Sequence, residues 1–111
     1  MKDEILSYLP QGDWGEKIHW FDTLDSTNNE AKRLAAAEAP NGTLILSAQQ
    51  TGGRGRMGRS FQSPAGMGVY ITLLMRPQVR PEQLMHLTCA AGLYSCQGVE
   101  EATGFQPKIK W

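Results

Sequence analysis

Cysteine is scarce, net charge is absent, and no apolar run approaches the length of a bilayer. The two cysteines, Cys89 and Cys96, stand seven apart in a stretch that reads as one helix, which at ~1.5 Å per residue puts their α-carbons about 10 Å apart, beyond disulfide reach. No His or Cys accompanies them at ligand spacing, so they form no zinc site and are expected to be reduced and buried. Lys+Arg and Asp+Glu are equal at 11 each, which gives no reason to expect bulk attraction to DNA or acidic membranes. Any electrostatics must be local. Nothing nears the ~18 apolar residues of a membrane span, and the opening MKDEILSYLP is too acidic, and its apolar part too short, for a signal peptide. The expectation is a soluble cytoplasmic protein with no membrane partner. With 111 residues it makes one modest domain burying somewhat over ~60% of its unfolded surface.

Residues 1–16 mix a short apolar patch with Pro10, Gly12 and Gly15, which predicts a leading turn of helix and a loop. Residues 17–24 carry Ile18, Trp20 and Phe21 and suit a strand. Asp25 and Ser26 then stop it, and Thr27 with Glu30 fits a capping box ahead of an Ala/Leu-rich helix reaching about Glu38. Residues 43–50 read as a buried strand, and residues 67–76 as a second, strongly apolar one. Pro81 opens a long helix with Leu84, Leu87, Ala91 and Tyr94 at helical spacing, ended by Gly104. Residues 107–111 alternate like a half-buried strand, Ile109 and Trp111 against Lys108 and Lys110. The order predicts an α+β fold, a mixed sheet with helices packed on one face. His19 and His86 are isolated and read as structural or surface residues, and Met67, Met75 and Met85 as core filling.

Between the two middle strands stands QQTGGRGRMGRS, residues 49–60, with four glycines, three arginines and no acid. Its letters match both G-x-G-x-x-G and, within one residue, a P-loop. Either motif must open a helix whose N-terminal N–H groups meet the phosphate. Here FQSPAG follows, which cannot start a helix promptly. The strand lysine and catalytic-loop motifs that accompany a kinase glycine loop are missing too. An RG-rich nucleic-acid arm usually brings repeats and a basic background, and an inert linker also stays open. What remains is a strand-to-strand loop that folds over an anion. Glycines let backbone N–H groups approach and arginines supply planar forks for oxygens. Without a ligand, like charges and glycine entropy favour disorder.

These pieces together resemble the biotin protein ligases. The resemblance rests on LDSTN at 24–28, QTGGRGRMGR at 50–59, SPAG at 63–66, VYITLLMRP at 69–77 and KW at 110–111, in the family's order over residues 18–111. It implies a class II synthetase-like catalytic core, with residues 17–111 as its amino-terminal part and the C-terminal part absent. The activity implied is ATP-dependent activation of biotin to biotinyl-5′-AMP, then transfer to a lysine of a biotin carboxyl carrier domain. Ser26, Thr27, Asn28 and Gln50 would hold biotin's ureido ring, with Gly53, Arg54 and Gly55 contacting biotin through the loop backbone. Arg56 would meet phosphate or carboxyl oxygens as the catalytic residue, and Arg59 and Phe61 would line the nucleotide. For Ser26, Thr27 and Asn28, plain helix capping is the alternative, and the two roles are compatible.

Departures from the family pattern are Gly52 in place of the usual alanine, which should only loosen the loop, and Phe61 where Trp is common. The family's catalytic lysine, the rest of KWPND and the small C-terminal barrel would lie past Trp111, so the fragment is expected to be inactive alone. Mg²⁺ is implied without identifiable ligands. The first 17 residues leave no room for a winged helix, so no DNA partner is expected. Lipoate ligases would be expected to show an Arg-Arg-x-Ser-Gly-Gly-Gly stretch, which is missing. The incomplete sheet leaves a bare edge that a second copy can pair with, giving a homodimer. The rival reading is a non-catalytic module whose Gly/Arg loop binds a nucleotide or RNA.

Overall fold

The computed structural model describes residues 1–60 and 62–110, with Arg56 described by its backbone alone. The chain divides into two compact units, residues 1–77 and 78–111.

The first unit opens with two short helices, α1 (Lys2–Ser7) and α2 (Trp14–Lys17), followed by β1 (Ile18–Phe21), α3 (Thr27–Ala36), β2 (Thr43–Ser47) and β3 (Tyr70–Leu74). Strand order is β1-β2-β3. β1 runs parallel to β2, with Ile18 opposite Leu44 and Phe21 opposite Ser47. β3 runs antiparallel to β2, with Thr43 opposite Leu74 and Ser47 opposite Tyr70. The mixed sheet follows from the connections: a helix bridges the parallel pair, and the long glycine–arginine excursion lets the chain return antiparallel.

Facing residues share a side of a sheet, so Ile45 and Thr72 lie on one face and Leu46 and Ile71 on the other. The helix α3 packs on β2 and β3, while α1 and α2 lie against β1. Among the described residues the buried apolar core is Ile18, Ala31, Ile45 and Leu46. So few residues leave little redundancy. Ile45, fully buried at 0% exposure, is expected to cost about 2–5 kcal/mol on truncation to Ala, by lost transfer energy and the cavity left behind. A denaturant midpoint within error of the parent's would contradict that.

Ser26, not a Thr27–Glu30 box, caps α3: it sits extended at φ −160 and its hydroxyl accepts from Asn29 N–H. The box fails because Thr27 is already helical and turns its hydroxyl to Gln50, while Glu30 pairs with Arg33. The helix also ends at Ala36, two residues short of Glu38. Glu38 takes the left-handed conformation at φ 63, and Arg76 donates to the carbonyls of Ala35 and Ala39. A guanidinium at a helix C-terminus is favoured by the dipole.

In the second unit a 3-10 turn, Pro81–Gln83, leads into α4 (Leu84–Thr103), and Gly104 closes it in the left-handed conformation at φ 78. Helix and stop match expectation, but α4 buries none of its residues. Leu84, Tyr94 and Met85 are exposed. Cys89 and Cys96 are free, yet the first is exposed and the second half-buried, against the buried expectation. Residues 105–110 form no strand, and Trp111 lies outside the described residues. Both corrections share a cause: within this unit no neighbouring strand or sheet offers hydrogen bonds to residues 105–110 or a surface to α4. Met67 and Met75 are also exposed rather than core. They fall outside β3, to either side of it. His86 is exposed and His19 half-buried.

Candidate functional site

Beyond the ends of the strands the chains stay paired. Leu24 bridges Gln50 in parallel and Gln50 bridges Ser63 in antiparallel. Gln50 therefore stands between the LDSTN turn and the strand returning from the loop. Its Oε1 accepts from the Thr27 backbone N–H at 2.7 Å and from the Thr27 hydroxyl at 3.1 Å, and its Nε2 donates to Ser63 Oγ at 3.1 Å. The carbonyl end thus faces the positive N-terminus of α3 and the amino end faces away.

Thr72, one strand over, completes the cluster. Its single hydroxyl proton is shared between Asn28 Oδ1 at 2.6 Å and the Thr27 hydroxyl at 2.9 Å. Ser26 and Thr27 are buried. As N-cap, Ser26 only accepts, so its own proton has no acceptor among the described residues. These side chains line a cleft of about 300 Å³ reached also by Arg54. A polar, buried set with both donors and acceptors suits a small neutral hydrogen-bonding ring.

A larger cleft of about 800 Å³ lies under the loop, lined among others by Gln50, Gly53, Arg54 and Arg59. Among the described residues no helix intervenes between the loop and β3: the regular piece within the loop is the 3-10 turn Arg56–Gly58, and β3 comes next. This bears out the rejection of P-loop and dinucleotide motifs. The loop closes on itself through Gly55 N–H to Arg59 C=O at 2.6 Å and turns at Met57 and Gly58, φ 58 and 75. A left-handed methionine is a strained choice that persists where surroundings impose it.

Asp25, on the rim of the larger cleft, is held by Arg33 and Asn29. Hydrogen bonding from Arg33, first of all, with Ser26 N–H and Asn29 adding, holds its carboxyl well below the ordinary 3.8. Its contribution to stability is present above that ordinary value and is lost only as pH falls beneath it. Asp25 is charged throughout the neutral range. Arg33 is raised in turn by Asp25 and Glu30.

Of the residues singled out from sequence, Ser26, Thr27, Asn28, Gln50 and Arg54 meet at the smaller cleft, and Gly53 and Arg59 join Gln50 and Arg54 at the larger one. Gly55 lines neither. The Arg56 side chain and Phe61 lie outside the described residues. Sequence reasoning missed Thr72 and Ser63. The alternation of VYITLLM held the first signal, since Tyr70 and Thr72 share a face with Ile45 and Ser47.

No group of three or more His, Cys, Asp or Glu that could hold a metal ion occurs among the described residues. Asp25, the one acid among the described residues lining the larger cleft, spends both carboxylate oxygens on Arg33 and Asn29. The described residues therefore do not fit a Mg²⁺ site. No helix among them is long and apolar enough to cross a membrane.

Against known proteins, the profile of the Biotin/lipoate A/B protein ligase family matches residues 20–111. The bifunctional ligase/repressor BirA of Bacillus subtilis is 42% identical over 110 residues, 99% of this chain and 34% of its own length. A biotin–[acetyl-CoA-carboxylase] ligase of Paracoccus denitrificans is 35% identical over 89 residues, 78% of this chain and 36% of its own. The chain thus spans about a third of these relatives, 34% and 36% of their lengths. Among solved structures, the Aquifex aeolicus biotin protein ligase in complex with biotin and ATP superimposes with TM-score 0.68 at 33% identity, covering 86% of this chain and 39% of that one. The Leishmania major enzyme in complex with biotinyl-5-AMP gives 0.67 at 31%, covering 78% and 35%. In sequence and in backbone, this chain belongs to the biotin/lipoate A/B protein ligase family.

Proposed function

We propose that this chain is the amino-terminal part of the catalytic domain of a biotin protein ligase. The whole enzyme joins biotin to the AMP moiety of ATP. A biotin carboxylate oxygen attacks the α-phosphorus, the bond from phosphorus to the bridging oxygen breaks, and pyrophosphate leaves. A lysine amine of a carboxyl carrier domain then attacks the acyl carbon of biotinyl-5′-AMP and releases AMP.

The observation that carries this reading is the cluster of Ser26, Thr27, Asn28, Gln50 and Thr72 around one small cleft at the root of the arginine loop. A ureido ring presents one carbonyl and two N–H groups. The cluster has donors for the first, in the Ser26 hydroxyl and the Asn28 amide, and acceptors for the others. The carboxyl end of biotin would reach toward the loop, where Arg54, Arg56 and Arg59 offset the charge of two approaching anions. A loop folded over the mixed anhydride keeps water from it.

Among the described residues, α1 and α2 are helices of six and four residues, too short to lay a recognition helix in a major groove. A nucleotide- or RNA-binding module is disfavoured by the polar cleft, which a phosphate backbone does not need.

Calorimetric titration of the intact enzyme with a non-hydrolysable biotinyl-5′-AMP analogue tests the reading. Saturable binding that is lost in Thr27→Val is the expected result. Absence of heat, with steeply salt-dependent binding of single-stranded RNA instead, would sink it.

A further inference from the structure

We propose that Arg33 is a positioning residue: by gripping Asp25 it fixes the point at which the glycine–arginine loop leaves the sheet. This deepens the ligase reading and rests on it for the loop's purpose, though not for the geometry.

The loop has a definite root. Leu24 N–H donates to Gln49 C=O, Thr51 N–H to Leu24 C=O, and Gly52 N–H to Asp25 C=O at 2.6 Å. Among the described residues the last of these is the final backbone bond between the LDSTN turn and the loop, and past it Gly55 N–H bonds back to Arg59 C=O within the loop. Room there is tight, since a Cβ at Gly52 would come within 3.3 Å of the Asp25 carbonyl oxygen. Where Asp25 sits therefore dictates where Gly52 sits.

Asp25 is placed from the far side. Arg33 Nη2 and Nη1 donate to its two carboxylate oxygens at 2.6 and 3.2 Å, and Asn29 Nδ2 adds a third bond at 3.1 Å. Arg33 is itself held by Glu30, Nε to Oε1 at 2.8 Å. A planar fork closed on both sides fixes orientation in a way that a flexible ammonium does not. Exposed ion pairs add little to global stability, and the Arg33 and Asp25 side chains are 53% and 40% exposed. The pair acts through geometry. It also answers an electrostatic need, because Asp25 is the one acid among the described residues lining the larger cleft. Unpaired, it would repel an anionic ligand.

Amide hydrogen exchange on the 111-residue chain tests this without any ligand. Arg33→Ala is expected to speed exchange at Gly52 at least ~10-fold while Ile45, in the core strand, stays within about twofold of the parent. Arg33→Lys should fall between, and Glu30→Gln should leave Gly52 within about twofold, because Asp25 remains gripped. Unchanged Gly52 exchange in Arg33→Ala, or equal acceleration at Gly52 and Ile45, would overturn the proposal. In the intact enzyme Arg33→Ala should also weaken adenylate-analogue binding about 10-fold, with Arg33→Lys partly restoring it. A parent enzyme that binds no analogue counts against the ligase reading, while the exchange contrast still decides the role of Arg33.

Discussion

Arg56→Ala in the intact enzyme is expected to slow biotinyl-5′-AMP formation by ~10²–10³-fold while the protein folds as before. Two anions meet in that step, and the charge accumulating on the phosphoryl oxygens needs a donor already in place. The 3-10 turn holding Arg56 belongs to no strand or helix of the core, so truncating Arg56 should leave the unfolding free energy within about 0.5 kcal/mol of the parent's. Pyrophosphate release under single-turnover conditions measures the rate, and equilibrium unfolding the fold. A parent-like rate would remove Arg56 from the role, and a collapsed fold would make it structural.

Gln50 is expected to separate binding from stability through a pair of variants. Gln50→Leu keeps the volume but removes the acceptor of the buried Thr27 N–H, which should cost about 1–3 kcal/mol of stability along with ~10–100-fold of biotin affinity. Gln50→Glu keeps an oxygen at the N-terminus of α3, where negative charge is favoured. It loses only the amino group, so stability should hold while affinity falls. Isothermal titration with biotin and urea unfolding read the two separately. Equal losses in both variants would mean that Gln50 binds ligand only by keeping the fold intact.

The glycine–arginine loop could be assigned between strands because FQSPAG cannot begin a helix, and β3 does follow it. Gly104 stopped α4 as expected, because a residue without a Cβ is the cheapest way into the left-handed turn at φ 78. Ends set by distant partners were less readable. The last turn of α3 depends on Arg76, 41 residues from the Ala35 carbonyl that it meets, and no local pattern announces that bond. The same holds for Thr72, which reads as one polar residue in an apolar strand until the antiparallel register brings it to Thr27.

Local chemistry by itself therefore determined that α3 and α4 coil, that β1, β2 and β3 extend, where the glycines permit a turn, and that Ser26, Thr27, Asn28 and Gln50 carry the polar groups of the site. Those properties depend on neighbours within a few residues, where steric preference and capping act. Only the tertiary structure decided that Gln50 Oε1 faces the head of α3, that Thr72 shares its proton with that cluster, and that Arg33 holds Asp25 at the root of the loop. Hydrogen bonds across 23 to 45 residues exist only once sheet register is fixed, and register is a property of paired strands rather than of either one.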